Sequence, residues 1–174
     1  GNVWVGGNND GDQILKFSPE GKFLQQVGQN DSTKGSNSTT RLGRPAHMMT
    51  DDAANEIYVA DGYGNRRVIV FDSKTGAYKR HWGAYGTKTP TDEKLPAYSP
   101  AAEPSKSFSN PVHCVRISND GLVYVCDRAN NRIQVFRKDG TYVKEFVVEK
   151  ETLANGAVWD LVLSEDPQQR FIFM

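Results

Sequence analysis

Two histidines stand at matching places in the sequence and are candidates for metal chemistry. His47 closes Pro45-Ala46-His47 and His113 closes Pro111-Val112-His113, each at the start of a strand-like segment. Asp160 takes the same place in a later segment if the loop that follows is one residue longer. Imidazole and carboxylate groups bind zinc and other divalent ions, so these side chains could form a metal site. The alternative is that Pro-x-His belongs to the repeat pattern and that each side chain only bonds neighbouring backbone.

Tyr63 and Arg128 are candidates for roles in catalysis and substrate binding. The phenol of Tyr63, in a connection between strands, could act near a metal as a general base for a substrate hydroxyl. Alternatively, Tyr63 is an exposed aromatic residue that covers the edge of the next sheet. Arg128 could bind a carboxylate through its two-pronged donor geometry, or it could pair with Asp127 or Asp61.

Asp61 and Asp127 recur with the same companions, an asparagine and an arginine close behind: Asn65-Arg66 and Asn131-Arg132. We interpret these groups as structural. The carboxylate would accept backbone N–H bonds in a turn, while the asparagine tolerates a left-handed backbone conformation.

Cys114 and Cys126 are the two cysteines of the chain. They face each other across a hairpin if its turn is centred on Asp120. A directly opposed pair strains the geometry of a disulfide, so the sequence favours two buried free thiols.

All these residues lie in a repeated pattern of strands. Val3-Trp4-Val5, Ile57-Tyr58-Val59 and Val123-Tyr124-Val125 each begin a series of alternating apolar segments separated by glycine-containing turns. No segment keeps a 3.6-residue period long enough to predict a globular helix. A four-stranded antiparallel unit at this period is typical of a β-propeller blade.

The units span about 2–28, 44–83, 110–147 and 157–174, and polar insertions at 29–43 and 84–109 are expected to be surface loops. The predicted fold is therefore all-β, with about three four-stranded blades and the start of a fourth. Propellers have four to eight blades, so the ring would be closed by missing sequence or by a second copy. Both ends read as strands, from which we expect a piece of a longer protein.

Charge and hydropathy argue against two classes of partner. The chain has 21 Lys and Arg against 21 Asp and Glu, and its mean hydropathy is -0.60. A net charge of zero is unfavourable for binding nucleic acid, so no nucleic-acid partner is expected. No apolar run approaches the ~20 residues that cross a bilayer, so no membrane span is expected either.

The segments 58–61 with 65–71, and 124–127 with 131–136, resemble NHL repeats, which form six-bladed propellers. Asp61-Gly62-Tyr63-Gly64-Asn65, together with residues 109–113 and Asp127-Arg128, is similar to the peptidyl-α-hydroxyglycine α-amidating lyases. That family splits a C-terminal hydroxyglycine into a peptide amide and glyoxylate. It uses a zinc ion held by three histidines from different blades, with a tyrosine and arginines at the site.

The resemblance implies a role for each matching residue: Tyr63 as the catalytic tyrosine, His113 as a zinc ligand and Arg128 as a substrate-binding arginine. His47 joins His113 as a candidate metal ligand by its position in the repeat. The predicted function is thus a metal-dependent lyase that acts on an α-hydroxy compound, such as a small peptide, in the propeller channel. Zinc is the expected cofactor, and calcium is a second candidate ion in a structural role.

The alternative is a non-enzymatic NHL-repeat scaffold that binds a protein or peptide through one face and its long loop. Family resemblance alone favours an extracellular or periplasmic location.

Overall fold

The computed structural model describes residues 1–7, 11–31 and 33–174, and within them almost all regular structure is β-strand. The strands, in chain order, are β1 (Val3–Gly6), β2 (Gln13–Phe17), β3 (Phe23–Gly28), β4 (His47–Asp51), β5 (Glu56–Asp61), β6 (Arg67–Asp72), β7 (Tyr78–Trp82), β8 (Val112–Ile117), β9 (Val123–Asp127), β10 (Arg132–Phe136), β11 (Tyr142–Val147), β12 (Val162–Leu163) and β13 (Ile172–Phe173). Two 3-10 helices, Ala84–Gly86 and Arg128–Asn130, are the helices of the described chain, and neither is long enough to cross a membrane.

Each sheet is antiparallel, and its strands follow one another in chain order. The second blade is β4-β5-β6-β7 and the third is β8-β9-β10-β11, both four-stranded. The first unit contributes three strands, β1-β2-β3, and the last unit pairs β12 with β13. The all-β prediction is confirmed, and the second and third units form the complete blades in the described chain.

The hydrophobic cores lie between successive units, because alternate residues of a strand point to opposite faces of its sheet. In β5, Ile57 and Val59 pack towards the first unit, while Tyr58 and Ala60 pack towards the third blade. A third core joins the third blade to the last unit. Each complete blade is therefore covered on both faces mainly by its neighbours, as in a propeller.

The insertion at 29–43 differs from the expected surface loop. Ser36 and Leu42 are fully buried. The guanidinium of Arg67 on β6 donates hydrogen bonds to the carbonyl oxygens of Ser36, Ser38 and Arg41, at 2.8, 2.5 and 2.6 Å. The loop is thus held against the second blade by a buried arginine.

The insertion at 84–109 also contributes to the interior. It begins with the 3-10 helix, and Phe108 near its end is buried in the core between the second and third blades. The Phe108 ring lies 6.2 Å from the ring of Phe136. The middle of this insertion runs over the outside of the third blade, where Tyr98 donates a hydrogen bond to the Lys150 carbonyl at 2.7 Å.

Candidate functional site

A buried ion pair supports the loop after the second strand in each complete blade. Asp61 pairs with Arg67 at 2.9 Å, and Asp127 pairs with Arg132 at 2.8 Å, with all four side chains at most 2% exposed. Burial raises the pKa of both aspartates, and the adjacent arginines oppose that shift. The structural interpretation of the two aspartates is confirmed, and the arginine that pairs with Asp61 is Arg67, one residue beyond the Asn65-Arg66 pattern.

The difference between Arg66 and Arg67 follows from strand alternation. Arg67 starts β6 and points into the blade, whereas the Arg66 side chain turns to Asn110 and to loop carbonyls. Of the two asparagines, Asn131 takes the expected left-handed conformation, with φ of 52°, and Asn65 does not. The side-chain amide of Asn131 donates a hydrogen bond to the Thr152 carbonyl and does not bind Asp127. The amide of Asn130 donates to the Asp127 carboxylate instead.

Tyr63 and His113 meet although they are fifty residues apart in the chain. The Tyr63 hydroxyl lies 3.0 Å from Nε2 of His113, and the rings pack edge to face with centroids 5.7 Å apart. Gly62 makes this approach possible, since a Cβ there would lie 2.0 Å from the Val112 carbonyl oxygen. The Asn110 amide fixes the same loop by donating to the carbonyls of Gly62 and Asn65, both at 2.8 Å.

The second ring nitrogen of His113 determines the tautomer. Nδ1 forms a short hydrogen bond with the Trp159 carbonyl oxygen, which can only accept. The proton of a neutral His113 ring therefore lies on Nδ1, and Nε2 accepts the hydrogen bond from Tyr63. An Nδ1–H bonded to a backbone carbonyl is also the usual orientation of a metal-binding histidine, with Nε2 as the ligand atom.

Arg128 completes the cluster from the 3-10 helix after β9. Its guanidinium carbon lies 4.2 Å from the centroid of the Trp159 ring and 5.9 Å from that of Tyr63. The side chain is 8% exposed, and its Nε is buried without a hydrogen-bond partner in the described chain. The alternative pairing with Asp127 or Asp61 is not formed, because both carboxylates bind the arginines of their own blades.

His47 occupies the equivalent position on β4 but bonds differently. Its Nδ1 accepts a hydrogen bond from the Val115 N–H of β8 at 3.5 Å, so a neutral ring carries its proton on Nε2. Burial and the nearby charge of Arg116 lower the pKa of His47, while Asp160 opposes that shift. The ring is therefore neutral at physiological pH, the form that a metal requires.

Asp160 forms an ion pair with Arg116 at 2.7 Å, and Arg116 also donates to the Leu161 carbonyl. Across 1–7, 11–31 and 33–174, no three His, Cys, Asp or Glu side chains gather as a set that could hold a metal ion. His113 and His47 thus remain candidate ligands. Both also bond neighbouring backbone, as the repeat-pattern alternative expected.

Cys114 and Cys126 form a disulfide, so the prediction of two free thiols is wrong. Of the two registers that the sequence allowed, the one centred on Asp120 forms, with Cys114 opposite Cys126 in the β8–β9 pair and their Cα atoms 4.8 Å apart. The bond lies one residue from His113 and two from Arg128. It therefore joins the two strands that present these side chains.

Sequence reasoning missed two residues that organise the cluster, Asn110 and Trp159. Asn110 had no signal of its own, because its role depends on the distant loop at Gly62. Trp159 directly precedes Asp160, which takes the position equivalent to His47 and His113. This adjacency to a candidate site residue was the signal that could have identified Trp159. The contacts of Trp159 with His113 and Arg128 depend on how the last unit packs on the third blade.

The fold defines the class, a β-propeller segment, and one of its blades matches a known repeat family. The NHL repeat family model matches residues 112–136, which run from β8 through β10 and include His113 and Arg128. The third blade is therefore an NHL repeat, and the resemblance found in the sequence is confirmed at this level.

Two relatives show the wider similarity. Mouse peptidyl-glycine alpha-amidating monooxygenase is 28% identical over 137 residues, which cover 79% of this chain and 12% of that protein. Human NHL repeat-containing protein 3 is 32% identical over 142 residues, which cover 79% of this chain and 35% of that protein. The chain thus spans about a third or less of the length of these relatives.

Solved structures support the fold alone. Saccharomyces cerevisiae Sqt1 superimposes with a TM-score of 0.59 at 11% identity, covering 94% of this chain and 34% of that chain. The WD40 repeats of RRP9 give a TM-score of 0.50 at 10% identity, covering 85% of this chain and 38% of that chain. At this identity the likeness concerns the blade architecture and carries no function.

Proposed function

We propose that this chain provides the central part of an amidating-lyase-type active site, in which Tyr63, His113 and Arg128 act on a peptide ending in α-hydroxyglycine. The observation that carries the proposal is Arg128, a residue only 8% exposed whose Nε is buried without a hydrogen-bond partner and which forms no ion pair in the described chain. Removing a charge from water is costly unless an opposite charge compensates it. A substrate carboxylate would supply that charge beside the Tyr63–His113 pair.

The reaction requires a proton acceptor at the substrate hydroxyl. The C–N bond to the α-carbon breaks, the hydroxyl oxygen becomes the aldehyde oxygen of glyoxylate as its proton leaves, and the amide nitrogen takes up a proton. The Tyr63 oxygen has lone pairs that would accept the proton of that hydroxyl as its own phenolic proton passes to the departing amide nitrogen. Arg128, 5.9 Å from the Tyr63 ring, would hold the carboxylate on the same side of the substrate.

His113 fits the role of a zinc ligand because its Nδ1 is held by the Trp159 carbonyl and its Nε2 accepts. Zinc would supply Lewis-acid chemistry, lowering the pKa of a hydroxyl bound to it. Since Nε2 bonds one partner at a time, zinc ligation and the Tyr63 hydrogen bond exclude each other, and ligation would free the Tyr63 hydroxyl for the substrate. We propose His47 as a second ligand after a change of tautomer, and calcium as a structural ion.

The first experiment measures zinc and calcium per chain in the full native protein, and glyoxylate release from hydroxyglycine peptides. We expect near-stoichiometric zinc in the wild type and its loss in His113→Ala. Tyr63→Phe should keep the zinc and lose most of the activity, about 100-fold or more, since general-base catalysis typically contributes that much. His81→Asn, on β7 of the second blade, is the matched control and should keep both.

A metal-free wild type, or zinc that is indifferent to His113, would overturn the lyase mechanism. Binding of a protein or peptide by a non-enzymatic module would then be the better proposal. It is supported by an open cleft of about 150 Å³ between the long insertion and the third blade, whose apolar walls include Leu95, Pro96, Tyr98 and Val147. We also propose an oxidising compartment for either function, because the Cys114–Cys126 disulfide would not persist in reducing cytosol.

A further inference from the structure

Trp159 is held half-exposed at the site by its neighbours in the chain. Val158 and Leu161 are buried against the Cys114–Cys126 disulfide, whereas Trp159 is 49% exposed. Its indole N–H donates to the Gly156 carbonyl at 3.1 Å. Gly156 has φ of +75°, and a Cβ there would lie 2.0 Å from the Arg128 carbonyl oxygen, so glycine is needed for this close approach.

The same residue contacts two of the three proposed site residues. Its carbonyl oxygen bonds Nδ1 of His113, and its ring packs edge to face on the His113 ring with centroids 5.5 Å apart. Its ring also lies under the Arg128 guanidinium at 4.2 Å, within the range of a cation–π interaction. The indole therefore helps to hold Arg128, which has no carboxylate to do so in the described chain.

We propose that Trp159 is a specificity-determining residue that contacts the side chain preceding the C-terminal residue of the substrate. This inference rests on the proposed function, since it places the substrate carboxylate on Arg128. The part of the peptide next to that carboxylate then lies over the exposed portion of the indole. Aromatic surfaces favour apolar and aromatic groups, so the preferred substrates carry such a side chain at that position.

The test uses peptides that bind without reacting, because they end in glycine and lack the α-hydroxyl: acetyl-phenylalanyl-glycine and acetyl-alanyl-glycine. Dissociation constants are measured by calorimetry on the full native protein. We expect the wild type to bind the phenylalanyl peptide about tenfold more tightly than the alanyl peptide. Trp159→Leu should abolish that preference, and Trp159→Phe should retain most of it.

Two further variants separate the outcomes. Arg128→Gln should lose both peptides, as the proposed function requires. Phe171→Leu is the matched control, because Phe171 is another exposed aromatic residue with an arginine over its ring. The Arg170 guanidinium carbon lies 5.8 Å from the ring centroid, and this variant should change neither dissociation constant. A wild type that binds neither peptide would overturn the proposed function and this inference together, whereas Trp159→Leu with an unchanged preference would overturn the inference alone.

Discussion

At the residue scale, the buried charges show that a short sequence pattern can identify structural aspartates without identifying the arginine that pairs with each of them. Asp61 and Asp127 are structural, as their recurrence with asparagine and arginine indicates. Which of two adjacent arginines enters the blade depends on the phase of β6, because neighbouring side chains of a strand point to opposite faces. Arg67 enters, and Arg66 remains at the surface.

Arg67→Gln is expected to lower the free energy of unfolding by about 3–5 kcal/mol, because it leaves the carboxylate of Asp61 buried without its partner. Arg66→Gln, the matched control one residue away, should cost about 1 kcal/mol or less, since its contacts lie nearer the surface. Urea unfolding of both variants measures the difference. Equal losses would show that Arg67 does not carry the buried charge pair.

Glu56 determines a second prediction, on acid stability. Hydrogen bonds from Arg80, with further ones from Lys79 and Tyr58, lower its pKa from 4.5 to about 2. Because the pKa is lower in the folded protein, Glu56 stabilises the fold above pH 4.5, and this contribution is lost as the pH falls from about 4.5 towards 2. The loss should be about 3 kcal/mol.

The measurement is the free energy of unfolding of wild type and Glu56→Gln between pH 7 and pH 2. The gap between the two proteins should be largest near neutral pH and should narrow below pH 4.5. Glu151→Gln, at an exposed glutamate without an ion pair in the described chain, should run parallel to the wild type. A gap that is constant across this range would contradict the role of Glu56.

At the scale of elements, the β8–β9 hairpin is the part that positions the site. His113 and Cys114 lie on β8, while Cys126 and Asp127 are the last two residues of β9, directly before Arg128. The hairpin register was predictable only as one of two, and the one centred on Asp120 is the register that forms. The oxidation of the pair was not, because it depends on how closely the two strands approach and on the redox state of the compartment.

Cys114→Ala/Cys126→Ala should lower the free energy of unfolding by about 3 kcal/mol, because the disulfide closes a short loop and restricts the unfolded chain. Denaturation with and without a reducing agent measures this, and reductant should affect the wild type only. Thiol titration of the denatured, unreduced wild type should find no free thiol. Two reactive thiols would restore the original sequence prediction.

At the scale of the whole molecule, stability comes from cores shared between neighbouring units. Trp82 of the second blade packs on Phe136 of the third, with ring centroids 5.8 Å apart, and Phe108 of the long insertion joins them. In such an architecture each unit depends mainly on its neighbours.

Trp82→Ala should destabilise the protein by about 3–5 kcal/mol, because it leaves a large cavity between two blades. Hydrogen exchange should report the loss of protection on strands of both the second and third blades, with the first unit less affected. Trp4→Ala, at a partly buried tryptophan of the first unit, is the control and should show the opposite distribution. Loss of protection confined to β7 would contradict a shared core.

The strands, their antiparallel order and the repeat were predictable from the sequence, because they follow from local alternation and turn residues, whereas two registers remained open for Cys114 and Cys126. It also identified Tyr63, His113 and Arg128 as candidates one by one. The tertiary structure alone decided that these three converge, that Trp159 and Asn110 hold them, and that Arg67 rather than Arg66 is buried. Those outcomes depend on contacts between distant segments, which no local pattern specifies.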